Sequence, residues 1–243
     1  MYLFKNILFI TNYMEQQFEK LDLNFKYFDN LDDKNILTEY PLFCTFYTLN
    51  GYEKYFSILQ ESIKNFNLPF CGFELKSKTN SYVWEYITQL KPFVLLYILN
   101  KFKKNIVWID ADAKIEKLPI YFLDVNNNIS VNYNFNKFYR KSELLSGTIF
   151  FKYSEISISI LDDWIKKTEE INNNKIINKK DLWDQYILQK VLENYKKYID
   201  ELPKEYISIF DHPDFKNLDW VISHWQGSRQ LKNYNNLNTV TIK

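Results

Sequence analysis

Asn105-Ile106-Val107-Trp108-Ile109-Asp110-Ala111-Asp112-Ala113 is the stretch whose reading decides the fold. Four apolar residues run straight into two carboxylates separated by one small residue. A short unbroken apolar run is the pattern of a strand covered on both faces, as inside a mostly parallel sheet. Side chains alternate along a strand, so Asp110 and Asp112 leave its carboxyl end on the same side. Open α/β sheets bind their ligands at that end. Two close carboxylates repel each other unless a cation lies between them or one takes a proton. A hard divalent metal carrying a diphosphate satisfies that requirement. A strand ending in an ordinary polar turn is the competing reading of the triplet alone.

Working outward, two β-α units precede this strand. Residues 42–48 read as a strand and 49–51 as its turn. Residues 52–65 carry Tyr55, Phe56, Leu59 and Ile63 at helical spacing. Residues 70–75 read as a second strand and 82–100 as a helical region, with Pro92 placed for a helix start after Lys91. Successive β-α units predict right-handed crossovers and a parallel sheet. Beyond the acidic strand, 124–128 and 132–136 read as polar loops and 146–152 as a strand entered through Gly147. Helices are predicted over 154–170 and 182–197, the second opening with Trp183-Asp184-Gln185, with a polar loop over 172–180 between them. Strands follow over 206–210 and 220–224. Residues 1–38 read as an N-terminal extension packed on a main domain of residues 39–243, with strands over 6–11 and 24–28 and a helix over 15–21.

Composition narrows the function. The 243 residues are 46% hydrophobic and 19% aromatic, enough for a large core, which argues against disorder. Thirty-one basic and 30 acidic side chains leave a formal charge of +1, without the electrostatic footprint of a nucleic-acid binder. The first ten residues are too interrupted for a signal peptide, and the longest apolar stretch, residues 93–99, is far short of the ~20 residues of a spanning helix. Cys44 and Cys71 lie in apolar runs without metal-type spacing. These features predict a soluble cytoplasmic protein without a transmembrane segment. Glycine is rare: Gly51, Gly72, Gly147 and Gly227 are all there are. Neither a P-loop nor a dinucleotide fingerprint can be built from them. A nucleoside diphosphate held here must rely on metal and side chains.

Four motifs now stand in order. Trp108-Ile109-Asp110-Ala111-Asp112 resembles the DxD signature of GT-A-fold glycosyltransferases. Leu145-Ser146-Gly147-Thr148-Ile149-Phe150-Phe151 resembles the Ser-Gly strand that follows it in nucleotide-diphospho-sugar transferases. Trp183-Asp184-Gln185 is similar to their Asp-Gln helix start, and His224-Trp225-Gln226-Gly227 to the late His-x-x-Gly element of the glycogenin-like branch. After Gly227 the chain departs from that branch, with Ser228-Arg229-Gln230-Leu231-Lys232 in place of a Lys-Pro-Trp ending.

The resemblance implies a GT-A α/β fold, a mostly parallel central sheet with helices on both faces. It implies a metal-dependent transferase moving a sugar from a nucleoside diphosphate donor, a UDP-sugar, to a hydroxyl of a glycan, lipid or protein. Asp110, Asp112 and His224 would ligate the metal, Asp110 also touching the donor ribose. Oxygen ligands suit Mg²⁺ or Mn²⁺, and the imidazole tips the choice toward Mn²⁺. Lys91, Arg229 and Lys232 are candidates for neutralising the departing diphosphate, Tyr47 and Thr48 for holding the base, and Ser146, Gly147 and Gly227 for lining the donor site. Asp184 and Gln185 would face the donor sugar as the catalytic pair. With no obvious general base, retention of configuration is the expectation. Only neutral His224 can ligate a metal, which predicts donor affinity falling through the imidazole range near ~6.5.

Two other readings compete. Haloacid-dehalogenase-like phosphatases also place Asp-x-Asp after an apolar strand, but usually on the first strand and with Thr or Val where Lys114 stands here. A nucleotide-sugar-binding or scaffold protein of the same fold, without turnover, is the alternative from a different class.

Overall fold

The structure, a computed structural model, describes residues 14–49, 51–78, 84–136, 141–173, 179–210, 212–225 and 227. Residues 14–20 form helix α1, and β1 (Leu23–Asp29) follows it. Next come β2 (Leu42–Thr48), α2 (Glu53–Asn65) and β3 (Phe70–Ser77). The expected helix over 82–100 is two helices, α3 (Trp84–Thr88) and α4 (Lys91–Phe102), with Pro92 in the first turn of the latter. The acidic strand is β4 (Ile106–Ile109), and β5 (Ala113–Ile115) follows directly on the two acids. Then come β6 (Ile129–Asn136), β7 (Lys141–Phe151), α5 (Glu155–Asn172) and α6 (Asp184–Leu192). The short strands β8 (Ile199–Glu201), β9 (Ser208–Ile209) and β10 (Ile222–His224) complete the order.

Among the described residues, seven strands make the main sheet in the order β1-β3-β2-β4-β7-β6-β8, and β5-β10-β9 make a small one. Strands β3, β2 and β4 are mutually parallel. Strand β7 runs antiparallel to both β4 and β6, and β8 is parallel to β6. Five strands therefore share one direction, with β7 and the edge strand β1 opposed.

Alternation along the strands divides the core in two. Leu42, Cys44 and Phe46 of β2, Ile106 and Trp108 of β4, and Ile149 and Phe151 of β7 face the layer of α4, α5 and α6. Their neighbours Phe43, Val107, Ile109 and Phe150 face α2, through Phe56, Leu59 and Ile63. Each such side chain contributes about 1.5–3 kcal/mol when fully buried. All four residues of β4 are buried, which is why the sequence shows a continuous apolar run there. Phe18 of α1 joins the first layer, against Phe25 and Phe73. The predicted strand over 6–11 lies outside the described residues.

Further expectations are corrected. Strand β7 begins at Lys141, so Gly147 lies within the strand and not at its entry. Residues 132–136, read as a polar loop, belong to β6. Ile129 and Val131 bury on one side of β6, while Ser130 and Asn132 on the other are equally buried but hydrogen-bonded. Asn132 donates to the Leu202 carbonyl at 2.7 Å, and Tyr121 Oη lies 3.3 Å from Ser130 Oγ. Hydrogen-bonded polar groups can occupy core positions, so the strand's period is hidden behind asparagines. Similarly α6 is shorter than the predicted 182–197, because Asn194–Tyr198 turn away to feed β8.

Among the described residues, no helix is long and apolar enough to cross a membrane.

Candidate active site

Strand β4 delivers the two acids into a tight turn at the carboxyl end of the parallel strands. Asp110 N–H donates to the Gly147 carbonyl at 2.8 Å, and Ala113 N–H donates back to the Asp110 carbonyl at 3.0 Å. Strand β5 then pairs antiparallel with β10, which sets His224 opposite Ala113. Two sheets thus converge on one point. Among the described residues, Asp110, Asp112 and His224 form a group that could hold a metal, with one ligand atom of each within 4.8 Å of the others.

Whether these residues fit a cation can be judged from Gly147. A Cβ placed there would stand 2.9 Å from His224 Cε1, 3.0 Å from Nδ1 and 3.4 Å from Asp110 Oδ2. The strand thus leaves a notch where the imidazole and the carboxylate approach each other. Two oxygens and one imidazole nitrogen form a donor set suited to Mn²⁺. The fit is good. Gly147→Ala should keep the fold and weaken Mn²⁺ binding about tenfold or more by pressing the ring out of place, as read by calorimetry.

Ionisation reshapes the pH expectation. Burial, then the nearby Lys91 charge, push His224 down to about 3, so the imidazole is neutral throughout the physiological range. Desolvation and the neighbouring Asp110 charge push Asp112 up to about 6, against a hydrogen bond from Gly227 N–H that favours the anion. The pH-sensitive member of the group is therefore Asp112, not His224, because the imidazole is buried beside an ammonium. Mn²⁺ affinity should fall about tenfold between pH 7 and pH 5 as Asp112 takes a proton. Calorimetry measures the fall, and the His224 ring resonances should not titrate over that range in the metal-free protein.

Beside the metal-type cluster lies a buried cation. Lys91, 3% exposed at the start of α4, places Nζ 2.6 Å from Asp184 Oδ2 and 3.2 Å from Asp110 Oδ1. The same ammonium donates to the Ser146 carbonyl at 3.1 Å and approaches Ser146 Oγ at 3.3 Å. Ser146 Oγ donates in turn to Asp184 Oδ2 at 2.9 Å. Burial alone would depress the lysine, but Asp110 and Asp184 outweigh it and hold the ammonium above its ordinary range. Lys91, expected to reach a diphosphate, has its three protons facing acceptors at the end of β4, on β7 and on α6.

Asp184 opens α6 and is 3% exposed, while Gln185 beside it is half-buried. Gly227 N–H donates to Asp112 Oδ2 at 2.6 Å, and Trp225 N–H to the Asp112 carbonyl at 2.9 Å. A Cβ on Gly227 would meet the Tyr55 ring at 3.1 Å, so its bare backbone is what lets it approach Asp112 under that ring. Tyr47, at the end of β2, gives its hydroxyl to Glu74 at 2.6 Å and stacks on Phe56 at 3.9 Å. Thr48 ends the same strand, half-buried. Arg229 and Lys232 lie outside the described residues.

Two side chains at the site were not singled out in the sequence. Trp108 donates its indole N–H to Asp110 Oδ1 at 2.7 Å, and the Thr148 hydroxyl lies 2.9 Å from His224 Nε2. The period of two in β4 already places Trp108 on the face of Asp110; nothing in the sequence pairs Thr148 with a histidine 76 residues away.

Comparison with known proteins agrees on architecture. No protein-family model matches the chain, and no curated protein matches it by sequence. Among solved structures, a glycosyltransferase involved in the glycosylation of the major capsid of PBCV-1 is similar with a TM-score of 0.54 and 12% identity, over 82% of this chain and 100% of that one. The apo form of the glycosyltransferase GlyE of Streptococcus pneumoniae TIGR4 is similar with a TM-score of 0.51 and 13% identity. That match covers 76% of this chain and 54% of GlyE, so this chain spans about half of the pneumococcal protein. At such identities the likeness is one of fold. The chain has the mixed α/β fold of these glycosyltransferases, a large central sheet flanked by helices, consistent with the GT-A type.

Proposed function

We propose that this protein transfers a sugar from a nucleoside diphosphate donor, a UDP-sugar in the first instance, to a hydroxyl of a glycan, lipid or protein. The carrying observation is the convergence of Asp110, Asp112 and His224 at the carboxyl end of the parallel strands, with Lys91 and Asp184 against them. Asp110, Asp112 and His224 would hold Mn²⁺, or Mg²⁺, which neutralises charge on a leaving diphosphate. Asp110 also faces the donor ribose. Tyr47 and Thr48 border the base, and Ser146, Gly147 and Gly227 line the donor. Arg229 and Lys232 would add positive charge toward the diphosphate. The unit responsible is residues 39–243, to which α1 and the edge strand β1 of the N-terminal extension 1–38 are joined, in a cytoplasmic setting that suits the two free thiols of Cys44 and Cys71.

Asp184 and Gln185 are the pair we assign to the sugar. One oxygen of Asp184 is committed to the Lys91 ammonium and the Ser146 hydroxyl, which leaves the other to orient sugar hydroxyls. A carboxylate so engaged is poorly placed to deprotonate an acceptor, and this favours retention of configuration, with Gln185 beside the developing positive charge. The decisive experiment screens nucleotide sugars for Mn²⁺-dependent hydrolysis or transfer and reads the product's anomeric centre by NMR. Metal-dependent release of a retained product is expected. Donor binding with no hydrolysis or transfer to any acceptor would sink the enzyme reading, and an inverted centre would make Asp184 the base.

A further inference from the structure

We infer that Trp108 is a positioning residue for the Asp110 carboxylate, tying off Oδ1 so that Asp110 meets a divalent cation through Oδ2 alone. The inference rests on the metal reading above and deepens it with a residue outside the ligand set. Trp108 and Asp110 are two apart and share a face of the chain as β4 ends, and the indole nitrogen stands 2.7 Å from Oδ1. The ring is 1% exposed and is held edge-on by Phe46 with centroids 5.1 Å apart. Lys91 Nζ approaches the same oxygen at 3.2 Å and the Trp108 ring centroid at 5.1 Å. Oδ1 therefore receives two donors, while Oδ2 borders the Gly147 notch beside the imidazole.

The other two ligands are treated alike. Asp112 Oδ2 takes the Gly227 N–H, and His224 Nε2 lies against the Thr148 hydroxyl. Each of the three side chains thus has one polar atom engaged by the protein. An indole suits the task because it only donates and cannot itself ligate a metal. It also restrains a carboxylate that is 39% exposed and would otherwise rotate. Partners of this kind orient metal ligands, and their loss commonly costs 10–100-fold in affinity.

The test uses the full chain and Mn²⁺ alone, with bound and free ion distinguished by the electron paramagnetic resonance signal of free Mn²⁺. Two variants are compared with wild type: Trp108→Phe, and replacement of Trp108 by benzothienylalanine, an isostere with sulfur in place of the indole N–H. Both should bind Mn²⁺ about tenfold more weakly, the lower end of that range because Lys91 still engages Oδ1. The isostere should unfold at the wild-type temperature. Wild-type affinity in the isostere overturns the inference, whatever Trp108→Phe does, because the ring would then serve packing only. If Trp108→Phe does not fold, the isostere decides alone. A wild-type chain that binds no Mn²⁺ overturns the metal reading itself and this inference with it, an outcome distinct from equal binding by wild type and isostere.

Discussion

Asp112→Asn is expected to abolish Mn²⁺-dependent binding of nucleoside diphosphates while leaving the protein folded. The asparagine keeps an oxygen for the Gly227 N–H, so the local turn retains its hydrogen bond. What it loses is a negative ligand in a three-member set. A catalytic metal supplies several kcal/mol at the transition state, so turnover should fall on the order of 10³-fold. Stability should move the other way. Asp112 is raised from its ordinary value to about 6, so between pH about 4 and about 6 the native state holds a proton that the unfolded chain releases. Its contribution to stability is complete below that window and is lost as pH rises through it. At pH 7 and without metal, the neutral asparagine should therefore be at least as stable as wild type. Calorimetric titration and urea unfolding check the two halves. Unchanged nucleotide affinity in the variant would remove Asp112 from the metal site.

Lys91→Met should be the most destabilising single change near the site, by about 3–5 kcal/mol. The reason is asymmetry. Methionine fills most of the lysine's volume, but Asp184, with a side chain only 5% exposed, would be left buried without its ammonium at 2.6 Å. The Asp110 contact counts for less, since that carboxylate is 39% exposed and solvent screens it. Adding Asp184→Leu to Lys91→Met should recover most of the loss, because well-packed apolar pairs often replace buried ion pairs at little cost. Activity should not return in the double variant, since Asp184 is assigned to the donor sugar. Urea midpoints of the two single variants and the double variant form the cycle that measures this. If Lys91→Met lost less than about 1 kcal/mol, the ion pair would be a bystander.

The coupling through Lys91 also bears on mechanism. It joins Asp110 just past β4, Ser146 on β7 and Asp184 on α6, so the acid proposed to bind the cation and the acid proposed to face the sugar share one buried charge. Under the proposed function, loss of either acid shifts the other. Asp110 and Asp184 substitutions should therefore be non-additive.

The sequence by itself determined the parallel core and the place of the acids. The all-apolar 106–109 run, the β-α order before it and Asp110 and Asp112 at its end are local patterns, and periodicity reports local burial directly. The sequence also marked Gly147 and His224, the first as a rare glycine at the predicted entry of a strand and the second through motif order. Tertiary structure decided the rest. Strand β6 was hidden because its core-facing Ser130 and Asn132 are polar and hydrogen-bond to Tyr121 and to the Leu202 carbonyl. The antiparallel pairing of β5 with β10, which brings His224 to the acids across more than a hundred residues, has no local signature. Nor does the depth at which His224 and Lys91 lie, and that depth moves the pH response from the imidazole to Asp112. Periodicity tells which side chains are buried, but ionisation and ligand geometry depend on which distant charges are buried with them.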